Sequence, residues 1–282
     1  MDRSDLGTAS TQAAAVSQRS WRPAASFAGQ VLRIEGFVER DCGPALRSEL
    51  PSCAIPLIVV LGQGFTLHEE KGAQSLRRLD RPFVAGLHRA PAKVGSSGRS
   101  SCIQVDLTPL GARRLLGIAM SELADLVVDL DALDGMASDL QAQLVEAADW
   151  QARFRRLERF LLQRLLPVEA DDRRVALACR LLQAATPPIG IAALCRQLNV
   201  SRKHLNSLFL RDVGCPPKRF QRTARFTRAA AALRGETPFS TLADLAISCG
   251  YADQSHFNRD FKAFSGVTPR ELLAAAGPAG QR

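Results

Sequence analysis

Two short runs near the C-terminal end carry side chains suited to reading base pairs. Arg202, Lys203, Asn206 and Ser207 lie in SRKHLNSLFLRD, and Gln254, Ser255, His256, Asn258 and Arg259 in DQSHFNRDFKAF. Guanidinium and ammonium groups match guanine O6 and N7, carboxamides match adenine N6 and N7, and hydroxyls serve either. In each run the polar residues share one helix face, opposite the apolar stripe of Leu205, Leu208 and Phe209 or of Phe257, Phe261 and Phe264. Any exposed helix face is polar, so no single residue is diagnostic; the joint pattern is.

The flanking sequence supplies what would hold these faces in place. Ile191, Leu194, Cys195 and Leu198 follow i, i+3, i+4, i+7 spacing, Asn199 and Val200 make a turn, Ser201 is a good N-cap, and Gly214 stands just past the second helix. The same order returns about fifty residues later, where Leu242, Leu245, Ala246 and Cys249 form a stripe. Gly250 to Ala252 then turn, Asp253 caps and Gly266 ends the helix. Each unit reads as helix, short turn, helix. Pro217 to Leu233 reads as one joining helix, about 25 Å long at 1.5 Å per residue, a strut able to hold two reading helices near one DNA turn apart. Arg219, Arg222, Arg225 and Arg228 along it point to phosphate contacts, or equally to a solvated face.

On these residues the stretch from about Ile189 to Ala275 resembles the DNA-binding domain of the AraC/XylS family of bacterial transcription regulators. The resemblance rests on the ending GYADQSHFNRDFKAFSGVTPREL and on Gly214 and Pro217, which keep the family's Gly-x-x-Pro loop. It covers nearly a third of the chain. It implies base reading by Arg202, Lys203, Asn206 and Ser207 and by Gln254, Ser255, His256, Asn258 and Arg259, with double-stranded DNA and RNA polymerase as partners and a homodimeric state. Asn206 and Ser207 are short where long polar side chains are frequent in the family, so the second reading helix is expected to set more of the specificity. Many members carry an N-terminal cupin-like β-barrel that senses a small molecule, and Gln30 to Leu107 is similar to that.

Charge agrees with a polyanion partner. The net charge is +9, and Pro187 to Ala276 holds thirteen Lys and Arg against six Asp and Glu, while the remainder holds 24 against 22. Clustered cations neutralise phosphates and release counterions.

The chain's 282 residues suit two domains. The fold class is α+β, with a β-rich N-terminal domain followed by an all-α DNA-binding domain. Residues 1–20 read as a disordered arm, 21–137 as a β-rich sensor-like domain, 138–183 as a helical dimerisation or linker region, 184–276 as the double helix-turn-helix domain, and 277–282 as a tail. VLRIEGFVE, CAIPLIVVLG, PFVAGLH and SCIQVDL suit strands; PLGARRLLG and SELADLVVDLDALDG suit helices ending at Gly117 and Gly135. Ser138 offers an N-cap to a helix running to about Ala148. A further helix, Trp150 to Leu166, precedes the break at Pro167 and EADD, and one more runs from Asp171 to Gln183.

The absence of a long apolar stretch or signal-peptide core points to a cytoplasmic protein without a membrane partner. Seven scattered cysteines read as reduced, mostly buried thiols, Cys102 included. His68, Glu69, Glu70 and His88 are the one combination hinting at a metal. Neighbours on a strand face opposite ways, so neither metal nor cofactor is expected. An enzyme fused to this domain, as in alkyl-transfer repair proteins, needs an activated cysteine, and none has a nearby histidine or motif. A structural nucleic-acid binder is the remaining alternative, marked by sequence-independent, salt-steep binding.

Overall fold

The computed structural model describes residues 16–69, 75–134, 137–165, 170–184 and 188–276. Among the described residues, ten strands form the N-terminal body: β1 (Val16–Trp21), β2 (Val31–Glu39), β3 (Ala45–Glu49), β4 (Ile55–Val60), β5 (Phe65–Glu69), β6 (Ser75–Leu79), β7 (Phe83–Ala85), β8 (Ala92–Ser96), β9 (Ser101–Leu107) and, after two helices, β10 (Val127–Asp129). They make a six-stranded sheet ordered β1-β2-β9-β4-β7-β10 and a four-stranded sheet ordered β3-β8-β5-β6, antiparallel throughout. Ile58, Val60, Leu67, Leu79, Phe83 and Cys102, backed by Phe37, Phe65 and Val94, fill the space between the sheets. Burial and the neighbouring Glu39 push the Cys102 thiol up to about 12, which keeps it protonated and inert.

The helices follow: α1 (Pro109–Leu116), α2 (Met120–Leu123), α3 (Asp131–Asp134), α4 (Ala137–Val145), α5 (Trp150–Arg164), α6 (Ala170–Gln183), α7 (Ile191–Leu198), α8 (Arg202–Asp212), α9 (Pro217–Leu233), α10 (Leu242–Ser248), α11 (Gln254–Ser265) and α12 (Pro269–Ala276). The α+β reading holds. Thr108 caps α1, and Gly117 ends it with φ of 69°. On α4 and α5, Leu140, Leu144, Phe154, Leu157 and Leu161 are buried, with Phe160 and Leu165 partly so. None of the described helices is long and apolar enough to cross a membrane.

Three expectations change. Residues 16–20 of the expected arm belong to β1, paired with β2 along its whole length, because Ser17 and Trp21 turn inward and Trp21 stacks on Phe154 at 5.2 Å. Residues 1–15 and the 277–282 tail lie outside the described residues. The stretch 121–135 is not one helix: Asp125 takes φ of 61°, and Val127–Asp129 then extend the sheet beside β7. The proposed stop at Gly135 lies outside the described residues. Ser138 sits inside α4 rather than capping it, and its N–H and hydroxyl both donate to the Asp131 carboxylate. The break residues Pro167 to Glu169, the side chains of Asp171 and Asp172, and Pro187 also lie outside the described residues.

Tight approaches position the helices. Trp150 lies against β2 where a side chain at Gly36 would meet its ring at 2.2 Å. Gly214, with φ of 86°, ends α8 directly over the Met120 carbonyl, 2.5 Å from where a Cβ would sit. Beside it, Asp212 is fully buried and held by Arg211 at 2.6 Å and by Arg113 of α1 at 3.0 Å. A buried carboxylate cannot regain water when a partner is removed, whereas its arginines, partly exposed, can. Arg113→Met should therefore cost about 2 to 4 kcal/mol in urea unfolding, and adding Asp212→Leu should recover most of it. Equal stability of wild type and Arg113→Met would show that the pair holds nothing.

Candidate nucleic-acid interface

The first unit is built from α7 and α8. Asn199 closes α7 in the left-handed conformation at φ of 52°, and Ser201 accepts from the His204 N–H at 3.1 Å to start α8. Leu205, Leu208 and Phe209 are buried, and Phe209 meets Phe220 of α9 edge-on at 6.0 Å. That anchoring turns Arg202, Lys203, Asn206 and Ser207 outward, and all four are exposed, as is His204.

In the second unit Thr241 caps α10, and the Asp253 carboxylate accepts from the His256 N–H at 2.7 Å to start α11. Phe257, Phe261 and Phe264 are buried; Phe226 of α9 lies 5.1 Å from Phe261 and 5.0 Å from Phe264. Here the five expected reading residues divide. Ser255 and Arg259 are exposed, while Gln254, His256 and Asn258 are half-buried. The His256 ring stands edge-on to Tyr251 at 5.3 Å and 3.9 Å from Asp260, and Asn258 Oδ1 is buried without a hydrogen-bond partner among the described residues. Lys262, one turn beyond Arg259, is exposed on the same side and was missed. The i, i+3 step from Arg259 was the available signal. By exposure, then, the first helix offers no poorer a reading face than the second.

The arginines of α9 correct a further expectation, since described partners occupy all four. Arg219 donates to the Leu87 carbonyl at 3.0 Å and lies 3.3 Å from Asp125, both in the N-terminal body. Arg222 pairs with Asp260 at 2.6 Å, which holds it above the ordinary guanidinium value, and lies over Phe264. Arg225 donates to the Gly250 carbonyl at 3.2 Å and covers the Tyr251 ring at 5.1 Å. Arg228 donates to the carbonyls of Gln183 at 2.5 Å and Cys249 at 2.9 Å. The reason is geometric: α9 is packed by α6, α8, α10, α11 and α12, so its polar side chains meet protein.

Residues 194–275 match the family model described as a helix-turn-helix domain. This segment is a helix-turn-helix domain. Around it, the chain is 32% identical over 84 residues to the HTH-type transcriptional regulator GbdR of Pseudomonas aeruginosa, covering 30% of this chain and 22% of that protein. It is 27% identical over 150 residues to the arabinose operon regulatory protein of Escherichia coli, covering 49% of this chain and 51% of the relative. The chain thus spans between about a fifth and a half of the curated relatives it matches. Among solved structures, apo ToxT K231A from Vibrio cholerae aligns at 14% identity with a TM-score of 0.46, covering 92% of this chain and 96% of that one.

Elsewhere, the His and Glu residues that gave the one hint of a metal are not grouped. His68 lies over Gly95 on the four-stranded sheet, Glu69 is exposed, His88 Nδ1 is 2.7 Å from the Gly86 carbonyl oxygen, and Glu70 lies outside the described residues. Among the described residues no three His, Cys, Asp or Glu are grouped to hold a metal ion. Cys53, Cys102, Cys179, Cys195, Cys215 and Cys249 are buried free thiols, and Cys42 is half-buried.

Phe261 touches both Phe226 and Phe257 and supports the whole second helix-turn-helix unit. Phe261→Ala should cost about 3 to 5 kcal/mol and release amide-exchange protection across α10 and α11 while α7 and α8 keep theirs. Unchanged protection in α11 would refute the packing role.

Proposed function

We propose that the chain is a sequence-specific DNA-binding transcription regulator of the AraC type, its N-terminal two-sheet body acting as a cupin-like sensor of a small-molecule effector. One observation carries the reading: two separately capped helices, α8 and α11, are held on one rigid helix within the helix-turn-helix domain, with base-reading side chains on their outer faces. Arg202, Lys203, Asn206 and Ser207 read one half-site and Gln254, Ser255, His256, Asn258 and Arg259 the other, Arg259 being exposed and His256 half-buried. Residues 21–137, with the strand from Val16 added, form the sensor, 138–183 the linker or dimerisation region and 184–276 the DNA-binding domain. A homodimeric state, contact with RNA polymerase, a cytoplasmic location and the absence of catalysis belong to the same proposal.

The filled space between the sheets argues against an effector seat there. Among the described residues, open clefts lie elsewhere: one of about 410 Å³ on the sensor among Asp41, Gln63, Ser97 and Arg99, and one of about 620 Å³ between Arg19 of β1 and Asp149, Trp150 and Arg153 at the start of α5.

A gel-shift of the full chain on DNA from its own upstream region tests the reading. The expected result is a specific shift that weakens steeply with salt, with Arg259→Ala costing about 1 to 3 kcal/mol and relaxing preference at one base pair. Equal binding to every sequence would support a structural nucleic-acid binder instead.

A further inference from the structure

Each half of the helix-turn-helix domain belongs to a different hydrophobic core. The core of the N-terminal body runs without a break through Leu194, Leu205, Phe209 and Phe220 to Ala224, whereas Phe226, Ala229, Leu233, Leu245, Phe257, Phe261 and Phe264 form a second core. The first unit is thereby fixed to the sensor by apolar packing. The second hangs on the distal half of α9, with the partly buried Leu50 of the N-terminal body as an apolar neighbour, and its orientation depends on the polar contacts that reach it.

Arg228 reaches it. Its guanidinium takes one carbonyl from Gln183, the last residue of α6, and one from Cys249, the residue that ends α10. Both acceptors stand at the negative ends of helix dipoles, where a cation is favoured. The planar fork of arginine spans two acceptors that no single-point donor can hold together. Among the described residues Nε of Arg228 is buried without a hydrogen-bond partner, and both carbonyl contacts are made by the two terminal nitrogens. Helix α6 itself belongs to the sensor-side core through Val175, Ala178, Cys179 and Leu182. The other three arginines of α9 make different joints: Arg219 ties α9 to the sensor, and Arg222 and Arg225 tie it to the second unit. Arg228 bonds both sides at once.

We propose that Arg228 is the positioning residue that fixes the second reading helix relative to the first, so that it determines which half-site spacing the protein accepts. This rests on the DNA-reading function proposed above. Inserting one base pair between half-sites shifts the second by roughly 3.4 Å and rotates it about the helix axis, which a rigid pair of reading heads cannot follow.

The test uses the full chain and duplexes that the wild type selects from a randomised 30-base-pair pool, each half-site being assigned by Arg202→Ala and Arg259→Ala. Affinity is then measured on duplexes with one base pair added or removed between the halves. Wild type should lose at least about tenfold on the altered spacings, Arg228→Gln should lose less than about threefold, and Arg228→Lys should fall between them. Footprints should show Arg228→Gln still protecting the α8 half-site. Melting temperatures of both variants establish that they are folded, and Arg228→Lys carries the test if Arg228→Gln is not. A wild-type spacing preference in either folded variant overturns the inference while leaving DNA reading intact, as does a wild type indifferent to spacing. A wild type that selects no sequence removes the DNA-reading function itself, and this inference with it.

Discussion

Helix α9 is shared by two hydrophobic cores, and the rest of the molecule is arranged around that sharing. Phe220 and Ala224 face the sensor-side core, and from two residues further on Phe226, Ala229 and Leu233 face the second unit. A 17-residue helix transmits a rotation along its length without absorbing it, because each turn is closed by its own hydrogen bonds. The arginines fix the helix at both ends, and their partners are mostly backbone carbonyls, which cannot swing away as side chains do. The reading faces owe their exposure to this frame.

The joint between the sensor and the first unit is dense and polar as well as apolar. Asp125, in a backbone conformation few L-residues adopt, receives Arg89 at 2.8 Å and Arg219 at 3.3 Å. Cys53 sits against the α9 backbone, with Sγ 3.8 Å from the Phe220 carbonyl oxygen, and burial pushes its thiol well above the ordinary range. Nothing in this joint resembles a loose tether. A change of shape at α1 or α2 therefore reaches α8 through contacts rather than through slack chain.

The helix-turn-helix elements were legible because their signals are local. Ser201, Asp253, Gly214 and Gly266 mark ends by their own backbone and side-chain chemistry, and the stripes at Leu194, Leu205, Phe257 and Phe261 repeat at a single period. Strands β4 and β9, largely buried and apolar, and β2, with Val31, Ile34, Phe37 and Val38 along it, were legible for the same reason. What escaped depends on distant partners. Strand β1 lacks an apolar alternation and is ordered by pairing with β2 and by Trp21 meeting Phe154 far along the chain. Val127–Asp129 has helical neighbours in sequence but a strand neighbour in space. The arginines of α9 have the periodicity of a solvated face, and only the packing of five helices around them shows that they face inward. The half-burial of His256 likewise reflects Tyr251, which lies ahead of α11 and stands edge-on to its ring.

The division of α9 between Ala224 and Phe226 bears on how such a protein can be recombined. A module that exchanges freely must carry its whole core with it, and here the chain segment ahead of α7 is no such boundary. A graft cut there would separate Leu194, Leu205 and Phe209 from the sensor residues that cover them, leaving an apolar wound on both pieces. The natural seam runs through the middle of a continuous helix. Under the function proposed above, a new reading specificity at the second half-site can be inherited on one side of that seam, whereas a new sensor drags the first reading helix along with it.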